Sequence, residues 1–230
     1  MGGKRKGKKG KGMNTKWIVL GTVVAVIVAF AAGVVVFTSR SNQEVKEAVQ
    51  TNSDALVRPH SPIFGNPAAK VTIVEFLDPS CETCRAFYPI VKRMVNASFG
   101  QVRLVVRYAP LHQGSDTAVK ILEAARQQGK YWEALERAMA TQPQWAAHDR
   151  PQPEMLWDLV GDIGLDMGKA KADAKGPAID QLLRQDIADM QTLKVNRTPG
   201  FFVNGAPLRE FGEAQLRALV EQELKKTGAP

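Results

Sequence analysis

The sequence predicts an α/β domain with a helical insertion, carried behind one N-terminal membrane-spanning helix. Three observations lead there. Residues 17–37 form an uncharged apolar run; from about residue 65 short β-branched runs alternate with helical patterns; and a long stretch, about residues 115–193, is helical in period throughout. With 44% hydrophobic and 23% charged residues in 230, the chain is not wholly disordered, collagen-like or disulfide-dense. The net charge of +8 has a location. Seven basic residues and no acidic one lie in residues 1–16, and Arg40 adds one more, so residues 41–230 are formally neutral. The basic pI therefore gives no reason to expect a nucleic-acid partner for the folded part.

The basic tail, residues 1–16, has a Lys-Gly repeat typical of disorder, with anionic lipid as its plausible contact. The 21 uncharged residues that follow span roughly 30 Å as a helix, the thickness of a hydrocarbon core. Basic residues before the span and few after it predict a cytoplasmic N-terminus and a domain facing the periplasm across the inner membrane. Ala29-Phe30-Ala31 has the small-x-small form of a cleavage site, but the run continues through Val34, Val35, Val36 and Phe37, which favours an uncleaved signal anchor. Residues 38–64 read as a linker: Val45, Val49 and Leu56 are sparse, and Pro59, Pro62, Gly65 and Pro67 interrupt the backbone.

The domain, residues 65–228, opens with a strand over 70–77, too continuously apolar to face water on either side. A helix from Cys81 to about Phe99 follows, interrupted by Pro89, and then a second strand over 102–108. Helices are predicted over about 116–128, 130–141, 153–162 and 177–193, the last with Ile179, Leu182, Leu183, Ile187, Met190 and Leu193 on one face. Residues 200–204 read as a third strand, Asn204-Gly205 as a hairpin turn, 207–210 as a short fourth strand, and 213–226 as a final helix. Trp132, Trp145 and Trp157 read as core or cap residues of the insertion, and His112 as an exposed residue at a strand–loop edge.

The chemistry rests on the only two cysteines, Cys81 and Cys84, spaced C-x-x-C. Two cysteines and three histidines give little support to a four-ligand zinc site, and a bridge closing so short a loop removes little chain entropy. A cysteine opening a helix sits near unsatisfied N–H groups and the positive end of the dipole, which favours thiolate. The second lies one turn later, in reach of a mixed disulfide on the first. A redox-active pair is the reading these facts favour.

Cys81-Glu82-Thr83-Cys84 after a strand, a helical insertion, and then Thr198-Pro199 about 115 residues later leading into Phe201-Phe202-Val203-Asn204-Gly205 resemble the thioredoxin superfamily. The insertion makes the chain similar to DsbA-type thiol–disulfide oxidoreductases of the bacterial envelope. The resemblance implies a thioredoxin fold with Cys81 as exposed nucleophile and Cys84 as buried resolving thiol. It also implies a cis bond before Pro199, with Thr198 approaching substrate, and Glu75, six residues before Cys81, as a buried acid relaying a proton. Glu82 and Thr83 are the redox-tuning positions. Thr83 stands where DsbA has histidine, and Glu82 adds a negative charge, so the Cys81 thiol should be less acidic and its disulfide less oxidising than in DsbA. The implied partners are cysteine-containing envelope proteins and a membrane or periplasmic redox protein. No cofactor beyond the Cys81–Cys84 pair is expected, and the direction of exchange stays open. The alternative is a membrane-tethered thioredoxin-like module presenting two thiolates to Cu(I), or a non-catalytic binding module. Against the copper reading, the sequence has no Met or His close to the pair, Met94 being in the following helix.

Overall fold

The computed structural model describes residues 15–228; the basic tail falls almost wholly outside them. The chain divides into two compact units, residues 1–43 and 44–230. In the first, helix α1 (Thr15–Thr51) begins and carries the apolar run. From Val19 onward no side chain of that run is buried against the protein, and Phe30 and Phe37 are each 74% exposed. A helix that is apolar on every side and covered by nothing is suited to a lipid environment.

The last turns of α1 lie in the second unit, where the structure departs from the linker expected over residues 38–64. The helix continues to Thr51, and Val49, Ala55 and Leu56 are core residues. Val45 and Val49, spaced i, i+4, suffice to give this stretch an inward face even though its apolar residues are sparse. A further strand, β1 (Ile63–Gly65), follows and pairs antiparallel with β3 (Val102–Tyr108).

The sheet has the order β1-β3-β2-β4-β5, with β2 (Val71–Leu77), β4 (Gly200–Val203) and β5 (Ala206–Pro207) completing it. Strands β2 and β3 are parallel and joined by α2 (Glu82–Asn96); β4 lies antiparallel to β2, with Glu75 opposite Phe201. Asn204 and Gly205 both have positive φ, 46° and 84°, as a two-residue hairpin of matching twist requires. Strand β5 (Ala206–Pro207) is shorter than the expected 207–210, although the Leu208 N–H still donates to the Phe201 carbonyl at 2.9 Å.

Strand alternation splits the sheet into two faces. Ile73, Leu77, Leu104, Val106, Tyr108, Phe201 and Val203 belong to one core, packed beneath α2 and α8 (Glu213–Lys226). Val74, Phe76, Val105 and Phe202 belong to another, beneath α7 (Pro177–Thr192) and the turn at Ser53–Ala55. The insertion comprises α3 (Ser115–Arg126), α4 (Tyr131–Trp145), α5 (Leu156–Leu159), α6 (Met167–Asp173) and α7. The helix expected over 153–162 resolves into a 3-10 turn and the four-residue α5, and α6 has no counterpart in the sequence expectations. Its signal is Asp166, whose carboxylate accepts the Lys169 N–H at 2.9 Å as an N-cap. Trp145 is fully buried, and Trp132 packs edge-on against Phe64.

Candidate active site

Strand β2 ends at Leu77, and residues 78–80 turn the chain into α2, whose N-cap is Cys81. In that position the unsatisfied N–H groups of the first turn of α2 lie on the side of the Cys81 sulfur and favour its thiolate. Cys84, one turn on, faces the sheet and has no exposed surface. Cys81, expected to be exposed, keeps only 6% of its surface open. What covers it includes the β4 entry loop: the Thr198–Pro199 bond is cis, and the Cys81 thiol donates to the Thr198 carbonyl at 3.4 Å. The structure thus brings Cys81, Cys84, Thr198 and Pro199 together across some 115 residues of chain.

The two thiols are pulled apart in acidity. A hydrogen bond from the Cys84 thiol lowers the Cys81 pKa to about 5; burial opposes this, while the Thr198 side chain and the N–H groups of Cys84 and Thr83 assist. Cys84 is pushed up by burial first, and then by its hydrogen bond to Cys81 and the charge of Glu75. Glu75 lies on the same strand face as Ile73 and Leu77, fully buried, with no hydrogen-bond partner for either carboxylate oxygen. Burial, and secondarily the Cys81 thiolate, raise its pKa to about 8. With a pKa of about 8 the Glu75 carboxyl gives up its proton just above neutrality, and once ionised it can take the proton that the neighbouring Cys84 thiol must lose.

Glu82 and Thr83 are both exposed, and hydrogen bonds and burial dominate the Cys81 sulfur rather than the Glu82 charge. Thr83 acts through its backbone N–H. His112 is not merely exposed: its Nδ1 lies 2.7 Å from Oδ2 of Asp78.

Asp78 itself escaped the sequence reading, where an aspartate after a strand reads as a turn residue. It is fully buried and meets five donors: the N–H groups of Ser80, Leu111 and His112, the His112 ring, and the Ser115 hydroxyl. Its backbone carbonyl also accepts the Cys81 N–H at 3.1 Å. Asp78 therefore ties the active-site turn to the loop between β3 and α3.

A parallel β2–β3 pair with antiparallel β4 and β5, a helix opened by C-x-x-C, and a cis-proline facing the pair define a thioredoxin fold with the cysteine pair that thiol–disulfide oxidoreductases carry. Comparison with known proteins agrees: the chain matches the family described as Thioredoxin over residues 58–222, and it belongs to that family. A thioredoxin-like oxidoreductase from Silicibacter pomeroyi DSS-3 is 34% identical, with a TM-score of 0.65 over 75% of this chain and 97% of that one. The thiol-disulfide exchange protein alpha-DsbA2 from Wolbachia pipientis superposes with the same TM-score over 80% of this chain and 97% of its own, at 24% identity. Among curated relatives, a protein named Na(+)/H(+) antiporter NhaA from Herminiimonas arsenicoxydans is 32% identical over 167 residues, 72% of this chain. The chain spans only 26% of that relative's length.

Proposed function

We propose that the protein performs thiol–disulfide exchange on cysteine-containing proteins outside the cytoplasm, through Cys81 and Cys84, while residues 17–37 hold it in the inner membrane as an uncleaved anchor. The observation that carries this reading is the pair of cysteines at the start of α2, Cys81 against the cis Thr198–Pro199 bond and Cys84 buried behind it, with an unpartnered acid, Glu75, buried alongside. The basic run ahead of the apolar helix supports an N-terminus on the cytoplasmic side and a periplasmic domain.

In the reducing direction the Cys81 thiolate attacks one sulfur of a substrate disulfide. A mixed disulfide forms and one substrate thiolate leaves. Cys84 gives its proton to ionised Glu75 and attacks the Cys81 sulfur; the mixed bond breaks, Cys81–Cys84 forms, and the second substrate thiolate leaves with the electron pair. Oxidation of a dithiol substrate is the same sequence reversed. A membrane or periplasmic redox protein then resets the pair, and its potential fixes the direction of flow.

Cys84→Ser should accumulate mixed disulfides through Cys81, visible as slow bands on non-reducing gels of envelope fractions, because the second attack is gone. Cys81→Ser should accumulate few. Equal trapping by both variants would overturn the assignment of attacker and resolver, and no trapping by either would overturn the function.

A further inference from the structure

The buried stripe of α4 runs through Ala134, Leu135, Ala138, Met139, Gln142 and Trp145. One member is out of character. Gln142 is 2% exposed, and a primary amide there loses hydration that only hydrogen bonds can replace. Its Nε2 donates 2.7 Å to the carbonyl of Pro79 and 3.0 Å to the carbonyl of Cys81. Both amide protons are thus used on the turn between β2 and α2, and an apolar residue would serve the α4 core better.

The Cys81 carbonyl also accepts the first helical hydrogen bond of α2, from the Arg85 N–H at 3.1 Å. Gln142 therefore holds the peptide that opens α2, and with it the orientation of the next N–H groups. Asp78 fixes the same turn from its other end, through Ser80 N–H at 2.8 Å and its links to His112 and Ser115.

We propose that Gln142 is a positioning residue for Cys81: its side-chain amide, supplied by the helical insertion, holds the turn so that the N–H groups of Thr83 and Cys84 aim at the Cys81 sulfur. The inference rests on Cys81 being the attacking thiol proposed above. It gives the insertion a part in the chemistry. The amide also presents the positive end of its dipole to the turn, on the side that favours thiolate.

The test reads Cys81 acidity directly, by thiolate absorbance during a pH titration of the full-length protein in detergent. Gln142→Met keeps the size of the side chain and removes the donor. It should raise the Cys81 pKa by about one unit, an about tenfold loss of thiolate at pH values below both midpoints. Trp145→Phe is the control: it deletes the 3.1 Å bond from the indole N–H to the Ala138 carbonyl in the same helix without touching the turn, and should leave the Cys81 midpoint where it was. An unchanged midpoint in Gln142→Met, or an equal rise in Trp145→Phe, would overturn the proposal. If Gln142→Met fails to fold, the wild-type protein decides. The Gln142 side-chain amide resonances should move with the midpoint of Cys81, near pH 5, and resonances that stay flat through it would overturn the proposal. None of these readouts uses turnover. A wild-type protein that fails to exchange disulfides refutes the function, while the clamp stands or falls on the acidity alone.

Discussion

The two faces of the sheet bury charge-bearing groups in opposite ways. Beneath α7, Arg107 is fully buried and fully paired: its Nε and Nη2 donate to Asp186 at 3.1 and 2.7 Å, Nη2 also to Asp189 at 2.6 Å, and Nη1 to the Ala55 carbonyl. Arg58 closes on Asp189 with bonds of 2.8 and 2.7 Å, and His60 lies 2.7 Å from Asp186. Beneath α2, Glu75 is equally buried, and neither of its oxygens has a partner. The Tyr88 hydroxyl, one turn after Cys84, is buried and unpartnered too. Paired charge fixes one element against another. An unpaired acid stays protonated and can move its proton, which a pinned carboxylate cannot do. The first face is a fastening between α7 and β3, and the second is the reactive one.

The largest effect is expected at Glu75. Its folded pKa of about 8 stands above the ordinary 4.5, so between those values the folded protein keeps a proton that the unfolded chain has lost. Stability must therefore fall as pH rises through that window, by roughly 4–5 kcal/mol in all, and stay lower above it. Cys81 acts with the opposite sign, since its pKa is lowered from 9.0 to about 5 and its ionisation favours the fold as pH rises between them. The difference between wild type and Glu75→Gln isolates the acid. Urea midpoints at pH 5 and pH 9 should show the variant gaining on the wild type with rising pH, while its resolving step slows. A parallel pH dependence of the two proteins would mean that Glu75 is not held neutral.

Arg107→Met attacks the other face. It leaves Asp186 and Asp189 facing a hydrophobic side chain, with Arg58, His60, the Tyr108 N–H and the Gln185 amide as their remaining partners, and should cost about 3–4 kcal/mol. Denaturation should show the loss, while the Cys81 titration of the folded fraction stays unchanged. A shift in Cys81 acidity would show that the two faces are coupled and that their separation is wrong.

Residues that reveal themselves by type were legible in the sequence. Two lone cysteines at C-x-x-C, and Thr198-Pro199 before a β-branched strand, mark themselves, and the strand at 70–77 carries Glu75 conspicuously inside an apolar run. Asp78, Gln142 and Arg107 were not legible, because each draws its meaning from a partner distant in the chain. Gln142 meets Cys81 across 61 residues and Arg107 meets Asp186 across 79. On α7, Asp186 lies three and four residues from Leu183 and Leu182, on the apolar face, and it and Asp189 are 1% and 3% exposed, but nothing local in the sequence names Arg107 as their partner. The C-terminal turns of α1 were missed for a related reason: one inward pair, Val45 and Val49, is too short a pattern to stand out from a linker.

Within the reactive face, a milder change is expected at Thr83. Its side chain is exposed, and its backbone N–H already serves the Cys81 sulfur, so a substitution there can add a charge without disturbing the core. An imidazolium at this position stands beside the thiolate and favours it over the thiol. Thr83→His should lower the Cys81 pKa below its present value of about 5, by about one unit. Because the thiolate belongs to the reduced form, stabilising it makes the disulfide easier to reduce, that is, more oxidising. One unit corresponds to about 1.4 kcal/mol, or about 30 mV for the two-electron couple. Thiolate absorbance and equilibration with glutathione measure the two quantities independently, and they must move together. If acidity falls into line while the potential stays fixed, the buried partners Cys84 and Glu75 set the potential, and the exposed dipeptide between the cysteines does not.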